Sequence, residues 1–118
     1  MAEVIASILT ESVSGLLRRA RNAAMAGADW IEVRLDVLPP ATDPGDVLPA
    51  IDLPVLIACR TPRDGGRYEG STEDRRALIQ RWVDAGVEGL DLEDWETFVP
   101  ANPEGLRLMM QQAHRHGS

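Results

Sequence analysis

Short apolar runs alternate with longer segments of helical periodicity along the chain. The apolar runs predict four strands, at Val4–Leu9, Trp30–Leu35, Pro54–Cys59 and Val87–Leu92. Apolar residues three and four positions apart predict helices over about Val13–Met25, from about Thr72 to Gly86 and over about Pro103–His116, with a weak helix around Gly45–Ala50. Strands that alternate with helices predict parallel βαβ units, so the sequence belongs to the α/β class.

Polar residues and glycines mark the predicted helix ends. Thr10 or Ser12 is predicted to cap the first helix, and Thr72 the helix that follows the third strand. Gly27 and Gly86 stand where helix-ending glycines are expected.

The second and fourth predicted strands alternate between apolar and charged residues. Ile31, Val33 and Leu35 face one way, with Glu32, Arg34 and Asp36 opposite; Leu90 and Leu92 likewise oppose Asp91 and Glu93. A parallel sheet with both faces covered would be apolar on both, whereas a (β/α)8 barrel can carry charges on its inner face near the catalytic mouth. The alternative is a sheet with one solvated face.

The number of units sets the expected size of the fold. Such a barrel needs about 250 residues, and this chain of 118 residues supplies about four βα units. The predicted fold is therefore a parallel (β/α) half-barrel of the TIM-barrel type, with residues 1–118 as a single domain.

Composition narrows the classes of function. The net charge of −7 argues against nucleic-acid binding, and no apolar run is long enough to cross a membrane. The single cysteine, Cys59, and the absence of a basic N-terminal region indicate a cytoplasmic protein. All 12 basic residues are arginine, so the chain contains no lysine.

The segment Ala58–Ser71, ACRTPRDGGRYEGS, follows the third predicted strand. It combines arginines with a Gly-Gly pair at the carboxyl end of a buried strand. This composition is typical of a loop that holds an anionic ligand.

These segments together resemble the type I 3-dehydroquinate dehydratases of the shikimate pathway. The resemblance rests on Ser7 in IASIL, on IEVRLD, on ACRTPRDGG with RYEGS, and on GLDLED, in the family's order and spacing. It implies conversion of 3-dehydroquinate to 3-dehydroshikimate and water, a step in aromatic amino-acid biosynthesis. It also implies a lyase that uses a Schiff-base lysine and an acid–base histidine, with no metal or cofactor.

The resemblance assigns substrate contacts to Ser7, Glu32, Arg34 and Arg60. It places Asp64 where the family often has a glutamate that supports the catalytic histidine, and the shorter side chain leaves that role open.

The family's catalytic lysine and histidine fall beyond Ser118, and His114 and His116 do not replace them. We therefore expect no catalytic residue in this chain and no dehydration by the chain alone. We expect the partners to be the small-molecule substrate and either a second copy of the chain or a complementary half-barrel.

Several residues also have an ordinary structural interpretation. Glu32 and Arg34 can form an ion pair on a solvated face, and Asp91 and Glu93 can balance the charges of Arg34 and Arg60. The remaining expectations are a packed Cys59, exposed Arg63 and Arg67, and packing roles for Trp30, Trp82 and Trp95.

Two other functions remain open at this point. The chain can be a non-catalytic half-barrel that binds a carboxylate or a partner, or a fragment of another anion-binding TIM barrel. Phosphosugar enzymes of the latter kind usually bind phosphate after strands seven and eight.

Overall fold

Four parallel strands lie side by side in chain order. The computed structural model describes residues 3–90, without the side chain of Asp64. The strands are β1 (Ile5–Ile8), β2 (Trp30–Arg34), β3 (Val55–Ala58) and β4 (Gly89–Leu90). Each is paired in parallel with the next, in the order β1-β2-β3-β4. The predicted parallel α/β arrangement is confirmed.

Two α-helices of 13 residues each connect these strands: α1 (Val13–Met25) and α2 (Thr72–Asp84). Ser12 caps α1, because its Oγ accepts the backbone N–H of Gly15 at 3.1 Å. The prediction that Thr72 caps α2 is wrong by one residue. Ser71 has the extended backbone of a cap and accepts the N–H of Asp74 at 3.0 Å, so Thr72 is already helical.

The connection between β2 and β3 contains no α-helix. Where the sequence predicts a weak helix around Gly45–Ala50, two 3-10 helices cover Pro44–Asp46 and Leu48–Ala50. Pro49 explains the break, because a proline inside one continuous helix would remove a backbone donor and clash with the preceding turn. Val47, between the two short helices, is fully buried.

The hydrophobic core lies between one face of the sheet and the two α-helices. The strands contribute alternate residues, Ile8, Ile31, Val33, Leu35, Val55, Ile57 and Cys59. The helices contribute Leu16, Ala20, Leu78, Ile79 and Trp82. Cys59 is 3% exposed, which confirms its predicted packed position.

The alternation of side chains leaves the opposite face of the sheet to polar residues. Ser7 pairs with Glu32 in the β1–β2 register, and Arg34 pairs with Ala58 in the β2–β3 register. Since the core takes the intervening residues, these polar side chains lie on the face away from α1 and α2.

Some predictions fall outside the described residues. These are the final helix over Pro103–His116, the packing of Trp95, and the roles of Asp91, Glu93, His114 and His116. Between residues 3 and 90, neither α-helix has the length and apolar character required to span a membrane.

Candidate functional site

Ser7 and Glu32 form a side-chain pair across β1 and β2. The Ser7 Oγ donates to Glu32 Oε1 at 2.5 Å. The register makes the two residues neighbours on adjacent parallel strands, which brings their side chains together on one face of the sheet. Ser7 is exposed and Glu32 is half-buried, so a hydroxyl and a carboxylate lie together on this face of the sheet.

Arg34 makes a two-point contact with Asp36 rather than with Glu32. Its Nε donates to Asp36 Oδ1 at 2.9 Å, and its Nη2 donates to Asp36 Oδ2 at 2.8 Å. The alternative of an ordinary Glu32–Arg34 ion pair is therefore wrong. Glu32 and Arg34 are neighbours on one face of β2, which favoured the prediction of that pair. Asp36 lies just beyond the end of the strand, and its carboxylate meets the edge of the Arg34 guanidinium.

Asp36 is the most enclosed charged group of this region, with a side-chain exposure of 0%. Burial raises its pKa, but this effect is outweighed by the Arg34 side-chain hydrogen bond and by backbone N–H donors of Arg67 and Arg60. The net pKa of Asp36 lies below its ordinary value of 3.8. The carboxylate is therefore ionised at neutral pH.

The arginine-rich loop after β3 folds back on itself. The N–H of Gly66 donates to the Thr61 carbonyl at 2.8 Å, and the N–H of Tyr68 donates to the Arg60 carbonyl at 3.0 Å. Gly65 has φ +82°, a left-handed conformation that glycine adopts without a steric cost. We call residues 60–68 the arginine loop.

Gly66 lets the two sides of the arginine loop approach each other. A Cβ at this position would lie under 3.0 Å from the carbonyl oxygen, the carbonyl carbon and the Cβ of Arg60. Glycine is required here because there is no room for a Cβ, and not because of its φ angle.

The base of the arginine loop is tied to α2 by a buried arginine. Arg75 is 6% exposed, and its Nε donates to the Cys59 carbonyl at 2.8 Å. The residue before Arg60 is thus held against the first turn of the helix, which fixes the starting point of the loop.

The predicted site residues lie in two connected groups. Ser7 and Glu32 touch each other, while Arg34 is joined to the arginine loop through Asp36. Arg60 is half-buried and follows Ala58 by two positions, on the Arg34 side of the sheet. The side chain of Asp64 lies outside the described residues, so its supporting role stays a prediction.

Arg63 and Arg67 are exposed, as predicted. The Arg67 side chain pairs with Glu11 at 3.3 Å, and both groups are largely in solvent, so this pair adds little stability. The backbone of Arg67 has the more consequential contact, since its N–H donates to Asp36 Oδ2 at 3.0 Å.

The sequence prediction of the site omitted Asp36. Its signal was present in the Glu-x-Arg-x-Asp alternation, which puts Asp36 on the same face as Arg34 and two residues away. The contacts with the arginine loop come from residues 24 or more positions later, and periodicity alone does not reveal them.

A groove of about 680 Å³ lies between the segment after β2 and α2, and Asp36, Leu38, Arg67, Tyr68 and Ala77 are among the residues that line it. None of the four predicted substrate contacts borders this groove. Within the part of the chain that the structure describes, no cluster of three or more His, Cys, Asp or Glu side chains suits a metal ion.

Comparison with known proteins supplies the family. A sequence model described as type I 3-dehydroquinase matches residues 4–116. The 3-dehydroquinate dehydratase of Methanosarcina barkeri is 32% identical over an alignment that covers 98% of this chain and 48% of the relative.

Solved structures give the same result for the fold. The 3-dehydroquinate dehydratase of Enterococcus faecalis superposes with a TM-score of 0.66 at 25% identity, covering 98% of this chain and 50% of that one. The enzyme of Geobacillus kaustophilus gives a TM-score of 0.68 at 24% identity, over 81% of this chain and 41% of that one. This likeness confirms the predicted TIM-barrel type of α/β fold.

The chain spans less than half the length of the curated relatives that it matches. Within that span, the family match extends over all four strands and the arginine loop. The chain belongs to the type I 3-dehydroquinase family.

Proposed function

We propose that residues 1–118 form one domain, the N-terminal half of a 3-dehydroquinate dehydratase barrel, and that this half binds the substrate. The reaction removes water from 3-dehydroquinate to give 3-dehydroshikimate, as part of the shikimate pathway. Family membership supports the reaction, and the polar face of the sheet supports the division of labour.

The observation that carries this proposal is the cluster of polar groups on one face of β1 and β2. The Ser7 hydroxyl and the Glu32 carboxylate are already paired at 2.5 Å, so they form a fixed donor and acceptor set. Substrate hydroxyl groups can replace or extend such a bond without rearranging the strands. We assign Ser7 and Glu32 to the hydroxyl groups of 3-dehydroquinate.

Arg34 and Arg60 supply the positive charge that an anionic hydroxy acid needs. The contact of Arg34 with Asp36 uses Nε and one N–H of Nη2, so the other edge of the guanidinium can bind two oxygens of a ligand. Arg60 begins the arginine loop on the same side of the sheet. We assign both arginines to substrate contact and Asp64 to support of the catalytic histidine.

We further propose that the covalent chemistry needs groups from outside these 118 residues. In the Schiff-base mechanism, a lysine amine condenses with the substrate ketone and releases water, and the iminium then acidifies the adjacent C–H. A histidine takes that proton and assists loss of the hydroxyl as a second water. Hydrolysis of the product iminium then consumes one water and frees the lysine amine, so the net reaction releases one water. No side chain here can form the iminium, because the chain contains no lysine.

The partner in this proposal is a complementary half-barrel or another copy of the chain. The outer edge of β1 has no neighbouring strand among residues 3–90, and such an edge exposes backbone donors and acceptors for pairing. We place the protein in the cytoplasm, where its single cysteine would remain a thiol. A monomer by light scattering at high concentration would argue against self-association.

Ligand titration of the purified chain tests the substrate assignment. We expect 3-dehydroquinate to change the tryptophan fluorescence saturably, and a sugar phosphate to have no effect at the same concentration. Glu32→Gln should weaken binding about tenfold, because a hydrogen bond to a charged group is lost. Glu69→Gln, an exposed change in the RYEGS segment, serves as the control. Equal affinity of both variants would contradict the assignment.

An activity assay tests the division of labour. The chain alone should form no conjugated enone from 3-dehydroquinate and should give no substrate adduct after borohydride reduction. Addition of the lysine-containing half of a family member should restore both signals. Turnover by the chain alone would refute the proposal that the covalent chemistry lies elsewhere.

A further inference from the structure

We propose that Asp36 is a positioning residue, which holds Arg34 and the arginine loop in the geometry that binds the substrate. The inference rests on the proposed function, because Arg34 and Arg60 are assigned there to substrate contact. Asp36 itself touches no substrate in this proposal. Its role is to fix two elements that come from different parts of the chain.

The first element is the Arg34 guanidinium. Both Asp36 oxygens accept from it, at 2.8 and 2.9 Å, and the carboxylate is completely enclosed. A two-point contact fixes the plane of the guanidinium as well as its position. The free edge of Arg34 is therefore directed before a ligand arrives, which reduces the conformational entropy lost on binding.

The second element is the arginine loop. Arg67 donates its backbone N–H to Asp36 Oδ2 at 3.0 Å, and the backbone N–H of Arg60, the first residue of the loop, is among the groups that lower the pKa of the same carboxylate. Asp36 therefore joins the two ends of the loop to each other and to the end of β2. Loss of this acceptor would detach the loop from the end of β2, although the hydrogen bond from Tyr68 to Arg60 would still join the two ends of the loop to each other.

The group that meets these donors must be a carboxylate of aspartate length. Asparagine offers one acceptor oxygen, and its amide N–H groups would face the Arg34 or loop donors. Glutamate keeps the charge but is one methylene longer, in a position where the side chain has no exposed surface. Neither residue can reproduce the full set of contacts.

The test compares Asp36→Asn with Asp29→Asn in the full chain. Asp29 is a matched control, since its Oδ2 also accepts a backbone N–H, from Val4 at 2.8 Å, but at the start of β2. Amide hydrogen exchange followed by NMR measures the protection of the loop's backbone amides in the absence of ligand. Fluorescence titration measures the affinity for 3-dehydroquinate.

For Asp36→Asn we expect exchange of the Arg60 and Arg67 amides to accelerate about tenfold or more, while amides of β2 and β3 change less. The Kd for 3-dehydroquinate should rise about tenfold or more. Asp29→Asn should change neither quantity by more than about twofold. Uniform acceleration across the sheet, or an unchanged Kd in a wild-type chain that binds the ligand, would overturn the proposal.

Two further measurements keep the test decisive. If Asp36→Asn does not fold, exchange in the wild-type chain decides: unprotected Arg60 and Arg67 amides would refute the contact, and protected ones would support it. If the wild-type chain fails to bind 3-dehydroquinate, the proposed function is wrong. The exchange data would then still decide whether Asp36 holds the loop.

Discussion

Gly66→Ala is predicted to destabilise the protein more than Gly65→Ala does, although Gly65 has the unusual backbone conformation. The substituted Cβ would approach three atoms of Arg60 more closely than 3.0 Å, and two of them belong to the backbone. The approach is tight because the loop folds onto its own first residue, so a change of side-chain rotamer cannot relieve the overlap.

The magnitude follows from the two ways in which the arginine loop can respond. If the loop yields by a small backbone shift that keeps its hydrogen bonds, the remaining strain costs about 1–3 kcal/mol, as for other overpacked sites. If it moves away, the bonds from Gly66 to Thr61 and from Tyr68 to Arg60 break, each worth about 1 kcal/mol. Displacement would also disturb the Arg67 bond to Asp36, so we expect a loss of about 2–4 kcal/mol.

Gly65→Ala is the matched control. A Cβ there meets nothing within 4 Å, so the cost arises only from φ +82° and is about 1–2 kcal/mol. Urea denaturation of both variants, followed by tryptophan fluorescence, gives the difference from the shift in midpoint at constant m. A loss for Gly65→Ala that equals or exceeds that for Gly66→Ala would refute the steric argument.

Three other predictions concern the pKa of Tyr68, the pKa of Asp36 and the serine cap of α1. Burial, followed by the charge of Asp74, raises the pKa of Tyr68 above 10.0, and since Tyr68 is the chain's single tyrosine, phenolate absorbance measures it directly. Asp74→Asn should bring the midpoint closer to 10.0, and an unchanged midpoint would contradict the charge effect. Because the pKa of Asp36 is lowered on folding, its ionised form contributes stability above about pH 3.8, and this stability is lost as the pH falls through the folded-state pKa. Asp36→Asn should therefore flatten the acid denaturation curve below about pH 3.8. Ser12→Ala should cost about 1 kcal/mol through the lost α1 cap, whereas Ser14→Ala, exposed in the first turn, should cost less than about 0.5 kcal/mol; equal losses by urea denaturation would contradict the cap.

The predictions together separate two contributions to the site. Gly66 and Asp36 act on the position of the arginine loop, while Glu32 acts on the ligand contact itself. A variant at Gly66 or Asp36 should therefore change amide exchange in the loop without any ligand. Glu32→Gln should leave loop exchange unchanged and alter the affinity alone.

The sequence by itself determined the order and type of the main elements. Period-two alternation around Glu32 and Arg34 identified the polar face of β2, because successive side chains of a strand point to opposite sides. The bounds predicted for α1, Val13–Met25, are confirmed, since apolar periodicity, a serine cap and Gly27 all agree there. The family resemblance followed from short local motifs, such as IEVRLD in β2 and ACRTPRDGG after β3, which are readable without knowledge of tertiary contacts.

Tertiary structure alone decided which groups meet. It paired Arg34 with Asp36 instead of Glu32, and it brought the N–H of Arg67 to that carboxylate across 31 positions of sequence. It also replaced the predicted helix between β2 and β3 by two 3-10 helices around Pro49. Local pattern fixes the side of a strand on which a residue lies, but the partner of a buried charge depends on loop closure between distant segments, which periodicity does not encode.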